Sequence, residues 1–120
     1  MKKVVLFLLV LGLTAGIAHA AKLKNKDVVG NWKYAVETYD ATLTGIIKIT
    51  EKDKQLEGEV NDDMGNIFKL TKIGIENDEL IFELQPDYEV IKVKAKLEDK
   101  KLIGTVATQG EEFKLTAVRE

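Results

Sequence analysis

The side chains in this sequence that come in pairs suited to chemistry are carboxylates: Glu57 with Glu59, Glu111 with Glu112, and the run Asp62-Asp63-x-Gly65-Asn66. Two opposed carboxyls suit glycoside cleavage, and an acidic loop suits calcium. Neither reading fits the local pattern. A spacing of two sets Glu57 and Glu59 on the outer face of a strand, and Glu111 and Glu112 fall beside a turn. No apolar setting is in place to raise one carboxyl's pKa above its partner's. The Asp62–Asn66 run lacks EF-hand spacing and reads as a turn. Ser and Cys are absent and the single His is His19, which removes the usual nucleophiles, the usual base and the preferred zinc ligands. The expectation is a protein that is not an enzyme, with no catalytic residues, no metal and no cofactor.

The first twenty residues have the layout of an export signal. Met1-Lys2-Lys3 is basic, Val4 to Leu13 is an almost unbroken apolar run, and Ala18-His19-Ala20 offers small residues where a signal peptidase reads. Thr14, Gly16 and His19 interrupt the stretch before it reaches the length of a spanning helix, so no stable membrane anchor is expected. With no Cys, a lipoprotein anchor is excluded. The expected domains are a signal peptide, 1–20, cleaved at Ala20/Ala21, and one folded domain, 21–120, in the periplasm or secreted. The full chain carries a net charge of −2, and cleavage removes Lys2 and Lys3 as well. That acidity argues against a nucleic-acid partner, which needs a concentrated positive field. Lys92, Lys94 and Lys96 share one face of a strand and read as a solvated outer surface.

From Asn31 onward the chain reads as short strands separated by turns. Trp32, Tyr34 and Val36 alternate with polar neighbours, as do Leu43, Ile47 and Ile49, then Leu56, Gly58 and Val60. Phe68 and Leu70 mark a fourth strand, Leu80, Phe82 and Leu84 a fifth, and Tyr88 to Leu97 a sixth. Leu102 to Val106 and Phe113 with Leu115 complete eight. The turns between them fall at Lys52–Lys54, Asp62–Gly65, Asn77-Asp78, Pro86-Asp87, Asp99-Lys100 and Gln109-Gly110. Neighbours joined by such turns pair as antiparallel hairpins. The expected fold is all-β: an eight-stranded antiparallel up-and-down meander closed into a small barrel, which hides its edges.

An internal repeat supports that reading. Asp53-Lys54-Gln55-Leu56-Glu57-Gly58-Glu59-Val60 matches Asp99-Lys100-Lys101-Leu102-Ile103-Gly104-Thr105-Val106, and Phe68-Lys69-Leu70-Thr71 recurs as Phe113-Lys114-Leu115-Thr116. Each unit is too small to bury its own apolar face, so two units supply opposed halves of one core. The inward glycines Gly45, Gly58 and Gly104 are expected to permit bending or to lie beneath a large side chain such as Trp32 or Phe68.

Gly30-Asn31-Trp32 opens the first strand and Arg119, the sole Arg, ends the last. This resembles the lipocalin-like, or calycin, pattern of small secreted bacterial domains, over about residues 28–119. The resemblance implies a structural signature of Gly30, Trp32 and Arg119, with the guanidinium stacked on the indole. It departs from typical lipocalins in its short length and in lacking a disulfide, a long first loop and a C-terminal helix pattern. The many large inward residues favour a mostly filled interior, with room at most for a small cavity toward one end.

Two functions follow. The first is an exported binder of a small hydrophobic ligand at the barrel mouth, with Trp32, Tyr34, Phe68, Phe82 and Phe113 as candidate ligand-binding residues. The alternative is a surface-acting interaction or inhibitor module with an envelope protein partner, marked by the turn-flanking Tyr39 and Tyr88.

Overall fold

A computed structural model describes residues 22–120. The expected signal peptide and its Ala20/Ala21 cleavage site lie outside the described residues. One short helix, α1 (Asn25–Val28), precedes nine strands: β1 (Gly30–Glu37), β2 (Thr42–Lys52), β3 (Gln55–Asp62), β4 (Ile67–Lys69), β5 (Lys72–Glu76), β6 (Glu79–Leu84), β7 (Ile91–Glu98), β8 (Lys101–Thr108) and β9 (Glu111–Arg119). All pairings are antiparallel, in the order β4-β3-β2-β1-β9-β8-β7-β6-β5. The result is one long meander curled into a half-barrel.

Nine strands, where the alternation suggests eight, arise because the expected fourth strand is broken. Ile67–Lys69 pairs with β3, while Lys72–Glu76 pairs with β6. Between them Leu70 N–H donates to the Gly58 carbonyl (3.0 Å) and Thr71 N–H to the Glu83 carbonyl (2.8 Å). The chain thus steps from one end of the sheet to the other at Leu70–Thr71, and β4 and β5 share no ladder with each other. Phe68 and Leu70 point inward at even positions, Ile73 and Ile75 at odd ones. That phase slip is the signature of a break in pairing.

The expected sixth strand also shortens. It begins at Ile91 rather than Tyr88, and Tyr88 is 98% exposed in the connection before it. Pro86 lies in that connection, where its lack of an N–H suits a stretch outside the ladder.

Three of the four two-residue turns lie at one end, and the longer connections at the other. Asp53-Lys54, Asn77-Asp78 and Asp99-Lys100 each hold two successive residues at positive φ, the type I′ geometry that matches the twist of a hairpin. All three lie at the end where the chain enters. The opposite end carries the longer connections 38–41, 63–66 and 85–90, together with the tight Gln109-Gly110 turn. The repeat survives as β3 with β8 and β4 with β9. Its second Phe-Lys-Leu-Thr runs on unbroken through β9 to Arg119.

Inward alternation builds the core: Trp32, Val36, Ile47, Ile49, Leu80, Phe82, Val93, Leu102, Leu115 and Ala117 are buried. Leu43, expected inside, is 53% exposed because its strand end reaches the mouth. Two inward glycines lie beneath large side chains, though not the expected ones. Tyr34, rather than Trp32, lies across Gly45, whose added Cβ would sit 2.8 Å from the phenol ring, and Leu70 covers Gly58.

Candidate functional site

The two ends of the half-barrel are built for different tasks. At the entry end, α1 closes the interior. Asp27 accepts the Lys24 backbone N–H (2.9 Å) to start the turn, and Val28 is fully buried beneath it. Trp32 is also fully buried, with its indole Nε1–H donating to the Val28 carbonyl (2.9 Å). Trp32 and Arg119 are register partners on β1 and β9, and the guanidinium carbon lies 4.3 Å from the indole centroid. Arg119 also donates to the carbonyls of Val29 and Asp27, the latter at 2.7 Å. Gly30 makes this possible: its φ of +139° and the guanidinium against its α-carbon both exclude a side chain. Gly30, Trp32 and Arg119 therefore form one floor assembly, the geometry that the sequence resemblance implies.

The opposite end is open. A cavity of about 410 Å³ enters the half-barrel there, bounded by Tyr34, Ile47, Val60, Phe68, Phe82 and Val93 in its depth. Leu43, Met64, Leu84 and Ile91 ring its upper wall, with Thr42, Thr44, Asp62 and Asp63 supplying the polar edge. Apolar walls with a few convergent polar groups, at this size, are the usual form of a small-molecule site. The interior is less filled than the inventory of large residues suggests, because the sheet curls widely enough at the mouth to leave space between opposed side chains.

Of the five candidate ligand-binding residues, Tyr34, Phe68 and Phe82 face this cavity. Trp32 does not border it and instead belongs to the floor. Phe113 is also outside the lining, packed edge-on against Tyr39 with ring centroids 5.4 Å apart. Tyr39 is 82% exposed and its hydroxyl reaches Glu111 at 3.4 Å, so it ties the 38–41 connection to the start of β9 at the rim. Leu43, Met64 and Ile91 complete the upper wall. Strand alternation already marks Leu43 and covers Ile91; Met64, in a turn, is the one it passes over.

The mouth is held by its own acids. Asp62 accepts the backbone N–H groups of Met64 and Asn66 (each 2.9 Å) and the Asn66 amide (3.0 Å). Those bonds, with the Asn66 side chain foremost, hold its carboxyl below the usual carboxylate range. Asp63 accepts the Thr44 hydroxyl. Tyr34 is pushed up to about 12 by partial burial first and by the nearby charges of Asp62 and Asp63 second. Its phenol stays protonated at any ordinary pH.

Among the described residues, no group of three His, Cys, Asp or Glu is placed to hold a metal ion. No helix among them is long and apolar enough to cross a membrane.

No protein-family model and no curated protein matches the chain. Solved structures do match its fold. Fatty-acid-binding protein 1 of Echinococcus granulosus is 12% identical, aligns over 78% of this chain and 98% of that one, and has a TM-score of 0.57. A de novo designed fluorescence-activating β-barrel is 13% identical over 80% and 96%, at 0.59. A mutant of the fluorescent protein UnaG is 15% identical over 79% and 97%, at 0.54. At these identities the likeness is one of fold: a lipocalin-like calycin architecture.

Proposed function

We propose that this lipocalin-like half-barrel is an exported, non-enzymatic binding protein that takes a small hydrophobic ligand into its mouth. The open, apolar cavity of about 410 Å³ carries the reading. Its volume lies within the range of about 300–1,000 Å³ common for small-molecule sites. Similarity in fold to a fatty-acid-binding protein supports it. Tyr34, Phe68 and Phe82 are the residues assigned to the ligand, while Trp32, Gly30 and Arg119 hold the floor. The basic, apolar and small-residue layout of residues 1–20 supports export to the periplasm or beyond.

The test is titration with an environment-sensitive hydrophobic dye, repeated on a Val60→Phe/Val106→Phe variant that fills the cavity. The expected result is saturable binding by the natural chain and at least about a tenfold weaker affinity in the filled variant, with its strand content unchanged. Equal dye binding by both would place the dye on the surface and overturn the reading. It would favour the alternative, an interaction module that works through exposed groups such as Tyr88.

A further inference from the structure

The mouth carries charge of one sign, which the floor does not. The connections that surround the open end contain Asp40, Asp62, Asp63, Asp87, Glu89 and Glu111. Among the described residues of those connections (38–41, 62–66, 85–90 and 109–111) there is no Lys or Arg. The opposite end mixes both signs instead: Lys24, Lys26, Lys52, Lys54, Lys100 and Arg119 stand among Asp27, Glu51, Asp53, Asp78, Glu98 and Asp99. None of the residues lining the cavity is Lys, Arg or His. An anionic head drawn into the cup would meet no counter-charge, and one left at the rim would meet a ring of carboxylates. Both arrangements are costly, the first through desolvation and the second through repulsion.

Given the ligand-binding reading above, on which this rests, we infer that the cavity selects hydrophobic cations: an apolar body seated against Phe68 and Phe82, with an ammonium head at the Asp62–Asp63 edge. Asp63 has acceptor capacity beyond its present bond, since it engages the Thr44 hydroxyl through one oxygen and a carboxylate offers about four lone-pair sites, while Asp62, already accepting three bonds, contributes its charge. Thr42 and Thr44 add hydroxyls at the same edge. The Tyr34 phenol, pushed up first by burial, is pushed further by the charges of Asp62 and Asp63 at the inner side of the rim. A head group that donates hydrogen bonds and carries positive charge satisfies all of these groups. The head of a fatty acid satisfies none of the carboxylates.

The experiment is dye displacement from the full folded domain by three amphiphiles with one common decyl chain: decylammonium, decanol and decanoate, each below its micellar concentration. The expected order is decylammonium tightest, decanol intermediate and decanoate weakest. The ammonium-to-carboxylate ratio should be about tenfold or more at low ionic strength and shrink as salt screens the rim. An Asp40→Asn/Asp63→Asn/Asp87→Asn variant, which neutralises half of the rim acids, should lower that ratio several-fold, and an unchanged ratio would overturn the inference. Decanoate binding as well as or better than decylammonium would overturn the inference while leaving the hydrophobic cup intact. Failure of both the dye and decanol to bind would remove the cup itself, and the inference with it.

Discussion

Arg119 lies over Trp32, its guanidinium carbon 4.3 Å from the indole centroid, while its donors take the carbonyls of Val29 and Asp27. One side chain from the last strand thus joins the first strand to the segment that precedes it. A Lys cannot reproduce this, because an ammonium has neither the planar fork nor the stacking face. Arg119→Lys should therefore lose nearly as much stability as Arg119→Ala, about 1–2 kcal/mol in urea unfolding. Full stability in Arg119→Lys would show that charge alone suffices.

The floor and the cup should separate in mutagenesis. Trp32→Phe removes the indole bond to Val28 and part of the stacking, and should cost about 1–3 kcal/mol of stability with dye affinity unchanged. Phe68→Ala, on the cavity wall, should weaken dye binding several-fold. A reversed pattern, with Trp32→Phe weakening binding and Phe68→Ala silent, would relocate the site to the closed end.

Two groups give opposite pH signatures. Tyr34 has a folded pKa raised from 10.0 to about 12. The folded state therefore holds its phenol proton more tightly, and that stabilisation is complete below pH 10 and is lost as pH rises toward 12. Spectroscopic titration of the phenols should lose its highest component in Tyr34→Phe. Asp62 is shifted the other way, so its contribution is present above the usual carboxylate range and disappears as pH falls through its lowered value. Asn66→Ala, which removes the foremost cause of that shift, should flatten the acid limb of the stability profile.

Type I′ turns favour Asn-Gly, yet Asp99-Lys100 places a long side chain at φ +67°. Lys100→Gly should stabilise the domain by about 0.5–1 kcal/mol, the relief of left-handed strain less the added entropy of glycine. Gly110→Ala, at φ +80°, should destabilise it. Thermal unfolding of the two variants is expected to bracket the natural chain.

Export is tested by mass. The protein recovered from the periplasm or medium of an exporting bacterial host should lack residues 1–20 and begin at Ala21. Recovery of the full-length chain in the membrane fraction would contradict the cleaved signal.

What was legible in the sequence depended on how local the physics is. Most of the strand alternation, the turns at Asp53-Lys54, Asn77-Asp78, Asp99-Lys100 and Gln109-Gly110, and the Gly30–Trp32–Arg119 set rest on single residues with narrow roles, and these occupy the expected places. The split of the fourth strand was written in the shift from Phe68 and Leu70 to Ile73 and Ile75, but the turn-to-turn spacing hid it. The assignment of Trp32 to the floor rather than the cup depends on which end α1 covers, and no pattern in residues 22–29 announces a plug. The cavity depends on how far nine strands curl, a property of the whole sheet rather than of any side chain's volume. The acids at the mouth were visible one by one, yet became a ring only when the meander placed four distant connections side by side.

The step at Leu70–Thr71 has a bearing on solubility. A sheet that does not close leaves two rows of unpaired amides and carbonyls, each an invitation to a strand from another molecule. Here those rows belong to β4 and β5, three and five residues long and bound at their junction to both flanks, and to the short Gln55–Glu57 end of β3 that β4 does not reach. All three stretches are short, so the molecule keeps a gap in its wall without offering a long edge to a foreign strand.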